Sequence, residues 1–147
     1  MRVTFTINKD AALREVRRLT AYGGNRKIGD EGAYLRMSAT ESDEGMLEQF
    51  WKAACSAATE QLMHYAVCIA NEDEEGVYEV VAKMSSLYDT NLNSSIQGSL
   101  MNFIVNFIVS KWYKLTSPED EAKYAADAIG YMADIERKIY FRKRPTR

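Results

Sequence analysis

Glu60, His64 and Cys68 recur at intervals of four, a spacing that on an α-helix stacks the three side chains in one diagonal row. All three residue types bind zinc, and an imidazole beside a thiol can help form a nucleophilic thiolate. His64 is the only histidine, however, and no CxxC, HxxxH or HExxH supplies further ligands. The row also flanks an apolar stripe, where a cysteine serves as a small hydrophobe. No metal and no cofactor is expected.

Other catalytic signatures fare no better. Gly23-Gly24 and the pair Gly29 and Gly32 lack the GxGxxG or GKS/T context of a phosphate loop, and no GxSxG occurs. Asp120 and Glu121 read as helix-start residues, and Glu72 to Glu75 as a turn, rather than as paired acid–base carboxylates. The chain is expected not to be an enzyme.

Composition bounds the remaining classes. At 147 residues, 46% apolar and 27% charged, the chain suits one globular domain and excludes wholesale disorder. Nineteen basic residues against 21 acidic ones argue against a generic binder of nucleic acid or anionic membrane. The start, MRVTFTINKD, has no apolar core of a signal peptide, so retention in the cytoplasm where the chain is made is expected. Cys55 and Cys68 fall thirteen positions apart in one predicted helix, about 20 Å along its axis. That is too far for a disulfide, and two thiols suit a reducing compartment. The uncharged stretch between Asp89 and Lys111 has its dense apolar part only at 100–109, shorter than the roughly 20 residues of a membrane span. A buried helix is expected, and no membrane partner.

The elements that position these residues follow from periodicity. Val3, Phe5 and Ile7 alternate with Arg2, Thr4 and Thr6, which predicts a half-buried strand. Asp10 is expected to cap a helix with Leu13, Val16, Leu19 and Tyr22 inward, stopped by Gly23-Gly24. Ala33, Leu35 and Met37 alternate again, suggesting a second strand. Ser38, Thr40 and Ser42 offer caps for a long helix to about Ala70, with Leu47, Phe50, Trp51, Ala54, Ala58, Leu62, Tyr65 and Ile69 inward. Residues 77–84 are β-branched and predict a third strand. A helix from about Asn91 to Leu115 follows. Ser117-Pro118, with Asp120 and Glu121, opens another that turns Ala125, Ala128, Met132, Ile135 and Ile139 inward. The expected fold is α+β and mainly helical: about four helices, two of them long, around one core with a small sheet of short strands. Residues 1–141 form the domain and 142–147 an extended basic arm.

The helix over 92–115 is apolar around most of its circumference, and its remaining strip is Ser95, Ser99, Asn102, Asn106 and Ser110, all small and uncharged. A surface helix of a monomer would carry charges there. Either the chain's own helices surround it, or it packs against a neighbouring subunit. In the second arrangement the strip, with Met101, Val105 and Trp112 beside it, is the candidate subunit interface.

Charge is segregated. Residues 137–147 hold Arg137, Lys138, Arg142, Lys143, Arg144 and Arg147 and no acid, so the rest of the chain is net acidic. Arg137 and Lys138 complement the negative end of a helix dipole. Pro145 prevents helix continuation, and Arg142, Lys143, Arg144, Pro145 and Arg147 form a candidate arm for docking on an acidic partner. Phosphate binding fits the charges but lacks any nucleic-acid motif.

Four pieces carry a resemblance: Glu48-Gln49-Phe50-Trp51 through Cys55-Ser56-Ala57-Ala58-Thr59-Glu60, Ser110-Lys111-Trp112-Tyr113-Lys114-Leu115, the capped helix with Ala122, Tyr124 and Ala125, and Ile139-Tyr140-Phe141-Arg142-Lys143-Arg144-Pro145-Thr146-Arg147. Together they resemble small structural proteins of tailed phages and prophages of Bacteroides-type bacteria; within that class, a helical core with short strands is more similar to the head–tail connector (adaptor) proteins than to other neck components. The resemblance implies a portal-symmetric ring of copies docked on the portal protein, joining capsid to tail around the DNA channel. It implies contact with another neck or tail protein, packaged DNA nearby, and a place in the virion after assembly in the host cytoplasm. The arm from Arg142 to Arg147 matches the terminal arm that such proteins send into the portal. The three predicted strands depart from the simplest helical-bundle connector. Another neck or tail component, or a small DNA-binding module using the basic tail, is the alternative.

Overall fold

The structure, a computed structural model, describes residues 1–27, 29, 31–40, 43–64, 76–142 and the backbone of 67–72. Strand β1 (Arg2–Asn8) buries Val3, Phe5 and Ile7 and exposes the residues between them, as its alternation predicts. It pairs antiparallel with β3 (Val77–Lys83), which pairs antiparallel on its other side with β2 (Val67–Glu72), in the order β1-β3-β2. Phe5 lies opposite Val80 and Ile7 opposite Tyr78. All four are buried, so this face of the sheet lies against the helices.

Helix α1 (Lys9–Asn25) starts at Asn8, whose Oδ1 accepts the Ala11 N–H at 2.9 Å. Asp10 is therefore not the cap; it sits in the first turn, where a carboxylate meets the positive end of the helix. Leu13 and Val16 point inward as expected, but Tyr22 is exposed and Thr20 is buried in its stead. The Thr20 hydroxyl donates to Arg17 O and accepts the Ala39 N–H at 3.0 Å. The two glycines do not stop α1, which runs through them. They let neighbours approach. A Cβ on Gly24 would lie 2.7 Å from Tyr34 Cα, and one on Gly23 would strike the Tyr113 hydroxyl.

The second predicted strand is instead a short helix, α2 (Ala33–Met37). Ala33 and Met37 are buried four residues apart while Leu35 between them is 84% exposed, which suits one helical turn and not a strand. Helix α3 (Glu44–Met63) buries Leu47, Trp51, Ala54, Ala58 and Leu62, but it ends seven residues short of Ala70. The chain then becomes β2. The outer edge of β3 needs backbone partners, and 67–72 supplies them. Ile69, expected on the helical stripe, belongs to that strand, and Tyr65 lies outside the described residues.

Helices α4 (Asn93–Thr116) and α5 (Pro118–Tyr140) form an antiparallel pair joined by Ser117 alone. The Ser117 hydroxyl donates to Asp120 Oδ2 at 2.6 Å, and its carbonyl accepts the Asp120 N–H. Pro118 has no N–H to lose at the first helical position. Ala128, Met132, Ile135 and Ile139 bury the inward stripe of α5, as predicted. Helix α4 touches α1, α2, α3, α5 and β1, and its Ile96, Leu100, Ile104 and Ile108 are almost wholly buried. One hydrophobic cluster draws on β1, β3 and the helices α1 to α5.

Candidate assembly surface

The central position of α4 decides the fate of the proposed interface strip. Val105 and Trp112 are buried in the chain's own core, and the Trp112 indole N–H donates to Met37 O at 2.7 Å, tying α2 to α4. Ser99, Asn106 and Ser110 are buried too. The Ser99 hydroxyl donates to Asp134 Oδ2 at 2.7 Å, Asn106 Nδ2 to Asn102 O at 2.8 Å, and the Ser110 hydroxyl to Phe107 O at 2.8 Å. These five side chains are therefore taken up largely by the chain's own packing, and of them only Ser110 also borders an open groove. The polar groups of the three buried members of the strip thus find partners within the chain, as buried polar groups must. Ser95 and Asn102 remain exposed, and Met101 is half-buried.

What α4 leaves open is a groove between α3 and α5 of about 560 Å³. Phe103 and Phe107 form its floor, Ala57 and Gln61 one wall, and Ile129 and Met132 the other. The two phenylalanine rings lie 6.0 Å apart, and Lys111 Nζ stands 5.4 Å from the centre of the Phe107 ring. Ile129 is 70% exposed. Lys111 and Lys114 stand on the α4 side of the rim, Glu121 and Glu136 on the α5 side. Apolar area bordered by charges of both signs suits the side chains of another protein.

The chain matches no family model, no curated protein and no solved structure.

The row of possible metal ligands is not formed as predicted. Glu60 lies in the last turn of α3, His64 caps that helix, and Cys68 belongs to β2, so no single helix carries all three. Cys55 is buried in α3, and the helical spacing predicted between it and Cys68 does not exist. No helix among the described residues is long and apolar enough to cross a membrane.

The basic C-terminal region divides into two parts. Arg137 and Lys138 both pair with Asp134, and the Lys138 ammonium also reaches the Ser99 hydroxyl. Burial pushes the Asp134 carboxyl up, but hydrogen bonds from Lys138 and Ser99, with the charges of Lys138 and Arg137, outweigh it and hold the group below the usual carboxylate range. Sequence reasoning missed Asp134, although its spacing of three and four from two cations is a readable signal. Arg142 turns back: its Nη1 donates to Ile139 O at 3.0 Å and Phe141 O at 3.1 Å, and its backbone bridges Tyr88. It closes the end of α5, and its guanidinium is directed there instead of along an arm. Lys143, Arg144, Pro145 and Arg147 lie outside the described residues.

Proposed function

We propose that this chain is a non-enzymatic structural protein of a tailed-phage virion, a head–tail connector subunit. Copies stand side by side on the portal and join capsid to tail around the DNA channel. The observation that carries this reading is the open apolar groove over α4, with Ile129 exposed on its wall. A neighbouring copy in a ring covers such a surface, and the mixed charges of its rim set the register of the contact. Head-to-tail contacts of this kind close into rings when the rotation permits. The resemblance of the quoted pieces to phage structural proteins supplies the class, and the mainly helical core with a small sheet supports the connector part within it. The basic residues from Lys143 onward suit docking on an acidic portal surface.

Cryo-electron microscopy of the full chain mixed with the portal protein tests the proposal. A ring of portal symmetry, with the α3–α5 groove at the subunit boundary, is the expected result. A ring elsewhere in the tail would keep the structural class and move the part. The absence of any ordered assembly would overturn the reading.

A further inference from the structure

Strand β1 has one satisfied edge and one open edge. At the two ends of its pairing with β3, the Met84 N–H donates to Met1 O at 2.8 Å and the Lys9 N–H donates to Gly76 O at 2.8 Å. Hydrogen-bonded pairs alternate along an antiparallel ladder. Val3, Phe5 and Ile7 therefore direct their N–H and C=O groups at β3, while Arg2, Thr4 and Thr6 direct theirs away from it. β1 ends the sheet, so no strand among the described residues takes these groups. Beyond the edge lies a groove of about 540 Å³ between β1 and the first half of α4, and every residue lining it is uncharged. Nothing stands within 4 Å of where a Cβ on Gly98 would project. The middle of the strand lacks the lysine, proline or bulge that commonly blocks an edge.

We infer that β1 pairs with β1 of a second copy, antiparallel about a two-fold axis at Phe5, so that two sheets become one. In that register Thr4 of one copy lies opposite Thr6 of the other, and Arg2 opposite Asn8. Threonine pairs across strands are favourable, and no like charges oppose each other. Thr4 and Thr6 each place both open backbone groups in the new ladder. Ser94 and Gly98 on α4 leave room for the second copy, and the charge-free lining matches the centre of a homodimer contact. A two-fold contact is closed, so association stops at the dimer. The inference concerns the free protein and does not depend on the connector reading, which uses the α3–α5 groove.

The test is the mass of the purified full chain, by light scattering and sedimentation across a wide concentration range. T6P removes an outward N–H and leaves the β3 ladder intact, whereas T6V keeps the donor. Wild type and T6V should be dimers, and T6P should halve the mass with an unchanged circular dichroism spectrum. A monomeric wild type, species larger than a dimer, or a dimeric T6P would each overturn the inference. Should T6P fail to fold, hydrogen exchange of the wild type decides. Thr4 and Thr6 amides that slow as concentration rises support the pairing, and fast exchange throughout refutes it. Ring formation on the portal by T6P would leave the connector reading standing whichever way the dimer test falls.

Discussion

Ser99 on α4 donates a 2.7 Å hydrogen bond to the Asp134 carboxylate on α5, and that carboxylate also holds Arg137 and Lys138. One acid thus joins the two longest helices and pairs with two cations of the basic C-terminal region. The Arg137 side chain is 76% exposed, so its share of the stabilisation is small; Lys138, at 17%, contributes more.

Asp134→Asn should destabilise the chain by about 1 kcal/mol at neutral pH, read as a lower urea midpoint. Asp134 titrates below its usual range when folded. Its contribution is therefore fully present above the unfolded-chain value near 4 and is lost as pH falls through the folded value. Wild-type and variant stabilities should converge in acid. A gap that stays constant from neutral pH into that range would contradict the assignment.

Trp112→Phe keeps most of the buried ring but leaves Met37 O without its donor. A cost of roughly 1–3 kcal/mol is expected, together with faster hydrogen exchange in α2. A residue held in reserve for a subunit contact would show no such loss in the isolated chain.

Two glycine substitutions should act in opposite directions. Gly24→Ala brings a methyl against the backbone of Tyr34 and Ala33, forcing α1 and α2 apart at about 1–3 kcal/mol. Gly130, in the interior of α5, has nothing within 4 Å of its Cβ position, so Gly130→Ala should stabilise by about 0.5–1 kcal/mol. Thermal melts of the two variants check both signs.

Ile129→Glu should leave the melting temperature of the free chain nearly unchanged, since the side chain is mostly exposed, yet prevent ring assembly on the portal. Normal rings from this variant would remove the groove from the subunit contact.

Deleting residues 142–147 should preserve the fold, because among the described residues the loss is the Tyr88 bridge and the Arg142 bonds at the end of α5. Portal binding should fail in a pull-down. Full assembly by the truncated chain would show that the basic residues are not a docking arm.

Where a segment is long, or strictly alternating, its own pattern determined its structure. Val3, Phe5 and Ile7 mark β1, residues 77–83 form β3, Ser117-Pro118 opens α5, and the all-round apolarity of 92–115 marks a helix. In each case enough residues repeat for one period to exclude the other. Ala33, Leu35 and Met37 are too few to do so, and only the close approach of α1 at Gly24 shows which two of them lie inward. Val67–Glu72 reads locally as a helix end, and it becomes a strand because β3 has a second edge to satisfy. The uncharged strip of α4 was legible, but its meaning was not. Ser99 meets Asp134 and Trp112 meets Met37 across 35 and 75 residues of chain. The apolar groove likewise exists only where α3, α4 and α5 converge, and the open edge of β1 only because β3 pairs with its other side. Local periodicity records which side of an element is apolar; what covers that side is set by contacts between segments far apart in sequence.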